Sequence, residues 1–149
     1  MTAATTTVVA VEGEAADAVA ALALDGVRRH NRAHAAPPGF APLTLAARDG
    51  DAVVGGLVAE TGWEWLHVQL LWVEEAHRGR GIGRRLLAEA ETEARRRGCR
   101  HAYLDTFEFQ APRLYARLSW TVFGEQDDYP PGHRRFFLRK PLDAAPAAS

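Results

Sequence analysis

Four arginines and three glycines lie within eight consecutive positions, between a hydrophobic segment and a segment with helical periodicity. Glycines have no Cβ, so an anion can approach consecutive backbone N–H groups there. The unpaired N–H groups at the start of a helix are also electropositive. Arginine side chains at the same place add to the attraction for an anion. These features predict a phosphate-binding loop, for a pyrophosphate above all, over the segment Arg78-Gly79-Arg80-Gly81-Ile82-Gly83-Arg84-Arg85.

Two other phosphate-binding motifs fit this segment less well. A Walker loop ends in Gly-Lys-Ser/Thr, and the segment contains no lysine. A dinucleotide-binding turn would place Asp105, on the next predicted strand, close to a ribose. Four residues separate the preceding strand from Arg78, however, and too few residues follow for a second set of βαβ units. The dinucleotide site therefore remains the less favoured alternative.

The apolar patterns on both sides of the loop predict one mixed α/β sheet. Gly55 and Gly56, inside one strand, indicate a bulge or the close approach of another segment. On the helix after the loop, the pairs Glu91–Arg95 and Glu93–Arg97 are expected on the solvent-exposed face. The predicted elements are a strand over 6–11, a helix over 14–35, strands over 43–48, 52–59 and 63–73, a helix over 82–98, a strand over 100–106, a short helix over 111–118, and strands over 120–124 and 134–139.

The composition is that of one globular domain. The chain has 149 residues, 47% hydrophobic and 25% charged, with a formal net charge of −1. We expect a single domain over 1–149, frayed at about 1–5 and 143–149. The near-neutral charge argues against a nucleic-acid partner, and the lack of a long apolar run or signal-peptide pattern predicts a cytoplasmic protein without a membrane partner. One cysteine and scattered histidines predict neither a disulfide nor a metal site.

The loop resembles the acyl-CoA motif of the GNAT N-acetyltransferase superfamily, Arg/Gln-x-x-Gly-x-Gly/Ala, which Arg78, Gly81 and Gly83 match. The order of the predicted elements is similar to that family over nearly the whole chain. The resemblance implies an α/β (α+β) fold with a mixed, mostly antiparallel central sheet, flanked by helices and splayed where acyl-CoA binds. It implies acetyl-CoA as co-substrate, bound by Leu71, Trp72, Val73, Arg78, Gly79, Arg80, Gly81, Ile82, Gly83 and Arg84.

The short helix is similar to the family pattern Asn-x-x-Ala-x-x-x-Tyr-x-x-x-Gly-Phe/Tyr. Ala111, Tyr115 and Trp120 agree with this pattern, whereas Glu108 and Ser119 replace its asparagine and glycine. Acetyl transfer to an amine leaves a thiolate that needs a proton, and a phenol is protonated at neutral pH. The resemblance therefore implies Tyr115 as general acid, although a tyrosine at helical spacing is by itself more often a core residue.

The attacking amine must also lose a proton, because an ammonium has no lone pair. The family often places a carboxylate or a water chain on the strand before the loop. On that strand, His67 and Glu64 are the candidate bases, and alternation places them on opposite faces. Asp105, at the end of the next predicted strand, and Glu108, just past it, are further carboxylates that could approach the same cleft.

The function expected from these residues is acetyl-CoA-dependent N-acetylation of a primary amine of a small molecule, by direct attack on the thioester. The alternatives are a protein lysine or N-terminal acetyltransferase and a non-catalytic acyl-CoA-binding module. The helix over 14–35 and the loop over 125–133 carry acidic residues, which favour a cationic acceptor. A homodimer is common for such folds, and the strand with Phe136, Phe137 and Leu138 is the expected interface.

Overall fold

The computed structural model describes residues 4–143, whose contacts divide them into two compact units, one up to Pro37 and one from Pro38. The first unit contains helix α1 (Gly13–Arg32). The strand predicted over 6–11 is wrong, because these residues form no helix or strand. A run of β-branched residues favours a strand only where a neighbouring strand packs beside it. Of the ends expected to fray, residues 1–3 and 144–149 lie outside the described residues.

The second unit is built on a six-stranded mixed sheet. Its elements are β1 (Ala41–Asp49), β2 (Ala52–Gly62), β3 (Trp65–Val73), α2 (Ile82–Arg96), β4 (His101–Phe107), α3 (Pro112–Arg117), β5 (Thr121–Asp127) and β6 (Arg134–Pro141). The strand order is β1-β2-β3-β4-β6-β5, and every neighbouring pair is antiparallel except β3 and β4. The mixed, mostly antiparallel sheet predicted from the sequence is confirmed.

Helix α2 packs one face against β1, β2 and β3. That face carries the apolar positions that the periodicity predicts: Leu86, Leu87, Ala90 and Ala94 are all buried. The helix ends before Gly98, whose φ of +87° is the left-handed conformation that terminates helices. The packed helix therefore fixes where its N-terminal turn, and the glycine loop before it, lie against the ends of the strands.

One residue of α2 departs from the prediction. The Glu91 side chain is 7% exposed, and Lys140 Nζ on β6 lies 2.8 Å from its carboxylate, whereas Arg95 lies at 3.6 Å. The expectation that Glu91 is on the solvent-exposed face is wrong, because position 91 lies on the face that packs on the sheet. The pair Glu93–Arg97, at 3.0 Å, is confirmed.

The sheet opens between β3 and β4. These parallel strands pair only from Trp65 to His67 on β3 and from His101 to Tyr103 on β4. Beyond these residues the two strands separate, as the resemblance implies. The register between β2 and β3 also shifts at Gln69. Val68 before the shift and Leu71 after it are the better-buried residues, whereas Leu70 is 64% exposed. This bulge breaks the strict alternation expected along β3.

Strand β6 is interior to the sheet, between β4 and β5. Leu138 is buried and Phe136 packs against the core, so these apolar side chains are part of the core of the second unit. Their apolar character therefore needs no interface to explain it, and a homodimer stays a prediction. None of the helices in residues 4–143 has the length and apolar character needed to cross a membrane.

Candidate functional site

A cavity of about 870 Å³ lies where β3 and β4 separate. Its walls come from the end of β3, the glycine loop, the first turn of α2, the end of β4, the turn that follows β4, and α3. All the predicted cofactor-binding residues except Arg80 line it, together with Tyr115: they are Leu71, Trp72, Val73, Arg78, Gly79, Gly81, Ile82, Gly83 and Arg84. Residues that the sequence placed on the strand before the loop, on the loop and helix that follow, and on the short helix are thus brought together.

The glycine loop has the backbone conformation that an anion site requires. Gly79 and Gly81 have φ values of +78° and +76°, in the left-handed region that favours glycine. Gly81 is the N-cap of α2, and the first helical hydrogen bond runs from the Arg85 N–H to the Gly81 carbonyl at 3.0 Å. Among the described residues, no side chain caps this helix. The N–H groups of the first turn are therefore available to an anionic group in the cavity.

A histidine that the sequence analysis did not single out connects the loop to the rest of the sheet. His77, just before Arg78, lies with Nε2 3.1 Å from Asp49 Oδ2 at the end of β1. Its Nδ1 lies 2.9 Å from Glu74 Oε2, although without the alignment of a hydrogen bond. Arg78 Nε donates to the Val73 carbonyl at 3.2 Å. These contacts hold the start of the loop against β1 and β3.

Arg80 lies elsewhere. It lines a second, smaller hollow with Arg48 and Arg85, beside β1 and the outer side of the α2 N-terminus. The resemblance implies Arg80 as a cofactor-binding residue through its backbone N–H, one of the amides of residues 79–83, and that assignment stays a prediction.

The glycine pair of β2 has a packing role. A Cβ on Gly55 would lie 3.1 Å from the Trp72 carbonyl oxygen and 3.2 Å from Ile82 Cγ2. Both distances are tighter than ordinary van der Waals contact, so glycine lets the first residue of α2 approach β2 and β3 closely. The close approach predicted for Gly55 and Gly56 is confirmed at Gly55, whereas Gly56 has more room.

Tyr115 lies on α3 with its side chain in the cavity wall, and it is only 6% exposed. Its ring packs edge-on against Trp120, with ring centroids 6.0 Å apart. Burial, helped by the negative charge of Asp105, raises the pKa of Tyr115 to about 12. The phenol is therefore protonated throughout the physiological range and can donate a hydrogen bond to a group in the cavity.

The two candidate bases occupy different places. The sequence predicted Glu64 on the strand, and this prediction is wrong. Glu64 lies in the two-residue turn between β2 and β3, where Trp63 and Glu64 both have positive φ. Its carbonyl accepts hydrogen bonds from the N–H groups of Arg100 and His101. The turn is at the opposite end of β3 from the cavity, so the structure does not bring the Glu64 carboxylate to Tyr115.

His67 is the last residue of β3 that pairs with β4 before the strands separate. Its ring stacks on Tyr103, with centroids 4.3 Å apart and an interplanar angle of 8°. Burial lowers the pKa of His67, and the negative charges of Asp105 and Glu60 oppose this shift. The imidazole therefore favours its neutral form, which can accept a proton. His67 itself lies just outside the cavity wall, next to Val68, which is part of it.

Asp105 is the carboxylate that the structure places in the cavity wall. Its Oδ2 accepts a hydrogen bond from Arg135 Nε at 2.9 Å. Alternation along β4 puts Asp105 on the same face as Tyr103 and Phe107. The sequence identified Asp105 as a carboxylate that could approach the cleft. Its arginine partner comes from β6 and could be identified only in the folded sheet.

A turn after β4 adds a wall that the sequence analysis missed. Gln110 Oε1 accepts hydrogen bonds from Thr106 Oγ1 at 2.9 Å and from the Phe107 N–H at 3.0 Å. Phe109, within this turn, lines the cavity and is 56% exposed. The only sequence signal was an aromatic residue in a short loop directly after a strand.

Comparisons with known proteins agree with this geometry. The model of the acetyltransferase (GNAT) family matches residues 13–120. Acetyltransferase Atu2258 from Agrobacterium fabrum is 42% identical over 132 residues, which cover 87% of this chain and 96% of that protein. Blasticidin-S acetyltransferase from Streptomyces morookaense is 43% identical over 100 residues, or 66% of this chain and 74% of that protein.

Among solved structures, an acetyltransferase from Bacillus cereus superposes with a TM-score of 0.84 at 27% identity, over 91% of this chain and 98% of that one. The separated strands and the glycine loop before α2 thus occur in a chain whose sequence and fold both match acetyltransferases. The protein belongs to the GNAT family and is an acetyltransferase.

Proposed function

We propose that this acetyltransferase uses acetyl-CoA and transfers the acetyl group to a primary amine of a small molecule. The observation that carries the proposal is one cavity in which the glycine loop and a buried, protonated Tyr115 face the space between the separated ends of β3 and β4. Acetyl-CoA supplies the thioester, and the residues of this cavity bind it and handle the protons.

The cavity suits a long ligand with an anionic part and an amide-containing arm. The N–H groups of residues 79–83 would hold the pyrophosphate, with Arg78 and Arg84 beside it. The edge of β3 from Leu71 to Val73 faces away from β2 toward the opening, where β4 no longer pairs with it. An unpaired strand edge offers backbone hydrogen bonds to an extended arm such as pantetheine.

The protein's own groups then have distinct roles. Neutral His67 accepts the proton of the ammonium, through water because the ring lies just outside the cavity wall. A backbone N–H near the bulge of β3 stabilises the oxyanion that forms at the acetyl carbonyl. Tyr115 donates a hydrogen bond to the sulfur as the thiolate departs.

A small-molecule acceptor is supported by one relative. Blasticidin-S acetyltransferase, 43% identical over 100 residues, is named for a small molecule rather than a protein. A protein lysine or N-terminal amine remains the alternative acceptor, and thiol release with peptides measures it directly.

The test is optical detection of thiol release from acetyl-CoA in the presence of small amines, peptides or water alone. We expect turnover with at least one small amine, well above that with water or peptides. Tyr115→Phe is expected to lower kcat at least about tenfold, since it removes only the hydroxyl donor. Calorimetry with CoA serves as control, because CoA affinity should change little in this variant.

Three outcomes would contradict parts of this proposal. Unchanged kcat in Tyr115→Phe would remove Tyr115 from the mechanism. Turnover with peptides alone would assign a protein acceptor. Tight CoA binding without thiol release on a broad panel would indicate a binding module instead of an enzyme acting on amines.

A further inference from the structure

We infer that the acceptor amine carries a planar aromatic or heteroaromatic ring, which stacks on Phe109 at the wall of the active-site cavity. This inference rests on the proposed function, because it names the class of amine that the same cavity takes. It comes from Phe109 in the turn after β4, a residue to which no cofactor or proton-transfer role has been assigned.

Phe109 begins a series of three nearly parallel rings. Its ring stacks on Phe107, with centroids 5.2 Å apart and an interplanar angle of 16°. Phe107 in turn stacks on Tyr129, at 6.1 Å and 24°. Phe109 is the member that lines the cavity, and more than half of its surface is exposed. A flat ligand placed on Phe109 would extend a stack that already exists.

The backbone around Phe109 is held in place before any ligand arrives. Gln110 binds back to Thr106 and Phe107 through its side chain, and its N–H donates to the Phe107 carbonyl at 3.0 Å. The Glu108 N–H donates to the Arg134 carbonyl on β6 at 3.1 Å. A pre-organised wall loses little conformational entropy on binding, so its stacking energy is available to the ligand.

His133, just before β6, and Arg135, on β6, contact the same rings. His133 packs edge-on against Phe109, with centroids 5.0 Å apart, and its Nδ1 lies 2.8 Å from Glu108 Oε1. The Arg135 guanidinium lies 4.8 Å from the centre of the Tyr129 ring, and its Nε also binds Asp105 in the cavity wall. The rings are therefore connected to the carboxylate beside Tyr115.

The charges near Phe109 favour a flat ring over a polycation. Asp105 is paired with Arg135, and Glu108 Oε1 lies 2.8 Å from His133 Nδ1, so each carboxylate already has a partner. An exposed phenylalanine face gains from an aromatic ligand both by apolar burial and by ring-on-ring geometry. A saturated ring of the same size would retain the burial and lose the stacking.

The test compares 2-phenylethylamine with 2-cyclohexylethylamine, which have the same connectivity and differ in the flatness of the ring, and with hexylamine. We expect the kcat/KM of thiol release to be highest for 2-phenylethylamine. Phe109→Leu is expected to lower this value about tenfold or more, which corresponds to about 1.4 kcal/mol. The kcat/KM for hexylamine and the KM for acetyl-CoA should change less than about threefold, which is under 1 kcal/mol.

Phe123→Leu is the matched control, because Phe123 is 50% exposed on β5 and does not line the cavity. It should leave all three amines unaffected. Equal kcat/KM for the aromatic and saturated rings, or a preference that survives Phe109→Leu, would overturn the inference while leaving the proposed function intact. A raised KM for acetyl-CoA in Phe109→Leu would overturn it in favour of a cofactor contact. Absence of thiol release with every amine would overturn the proposed function and this inference together.

Discussion

Burial acts in opposite directions on the pKa values of the two groups proposed to handle protons. It raises the pKa of Tyr115 to about 12 and lowers the pKa of His67. In both cases a less polar surrounding disfavours the charged form, which is the phenolate of tyrosine and the imidazolium of histidine. At neutral pH one group is thus a donor and the other an acceptor, as transfer from a thioester to an amine requires.

The lowered pKa of His67 sets an expected pH dependence. Proton acceptance needs the neutral imidazole, so kcat at saturating substrates should hold as pH falls to 6.5, the ordinary pKa of histidine, and decrease only below it. His67→Asn is expected to lower kcat at least about tenfold and to abolish this decrease. His101→Asn, on the neighbouring strand, is the control and should retain it. The same acid limb in His67→Asn would exclude His67 as the base.

At the scale of the elements, Gly81 and Gly83 differ in how strictly their backbone conformation requires glycine. Gly81 has φ of +76°, whereas a Cβ on Gly83 would meet its nearest neighbour, Leu114 Cδ2, at an ordinary 3.6 Å. Gly81→Ala is expected to weaken CoA binding about tenfold, because a left-handed alanine costs about 1–2 kcal/mol and the loop would shift to relieve it. Gly83→Ala should stay within about threefold, since its backbone is unstrained and the added methyl group fits.

Calorimetry with CoA measures both variants of the loop. If Gly81→Ala bound CoA as tightly as the wild type, the backbone of the loop would not be the pyrophosphate site. If CoA produced no heat with the wild type at millimolar concentration, the proposed cofactor site would be wrong altogether.

The short helix α3 explains one departure from the family pattern. Ser119, which replaces the glycine of that pattern, has φ of +71°. The backbone after the helix is thus left-handed although the residue is not glycine. Its N–H still bonds to the Ala116 carbonyl at 3.3 Å, and the chain then returns to bury Trp120 beside Tyr115. Serine therefore carries a backbone strain at this position that glycine would not have.

At the scale of the whole second unit, an ion pair with a buried carboxylate connects α2 to β6. Lys140, the only lysine of the chain, lies 2.8 Å from the buried Glu91 carboxylate. Lys140→Met is expected to lower the free energy of unfolding by about 3 kcal/mol, because it leaves a buried charge without its main partner. Urea unfolding measures this change.

Two further variants test that interpretation of the ion pair. Glu91→Gln combined with Lys140→Met should be less destabilised than Lys140→Met alone, because the uncompensated charge is gone. Arg96→Met, which breaks an exposed pair with Glu93, should cost less than about 1 kcal/mol. Equal destabilisation by Lys140→Met and Arg96→Met would show that burial of Glu91 does not matter.

Features with a local cause could be predicted from the sequence. The apolar face of α2 follows from helical periodicity, and the glycine loop follows from residues that are adjacent in the chain. The strands failed where local preference was not enough: residues 6–11 have β-prone side chains and form no strand. The shift at Gln69 was also missed, because a bulge depends on the register with β2.

The arrangement of the candidate site depended on contacts between distant segments. Glu64 was a candidate base because the predicted strand included it, but a tight turn holds it at the end of β3 opposite the cavity. Asp105 and Arg135 are 30 residues apart and meet only because β4 and β6 pair. Periodicity and residue type are properties of neighbours in the chain, so the sequence by itself determined the elements and the anion loop. Which side chains share the cavity was decided by strand order and separation, because these depend on the packing of the folded sheet.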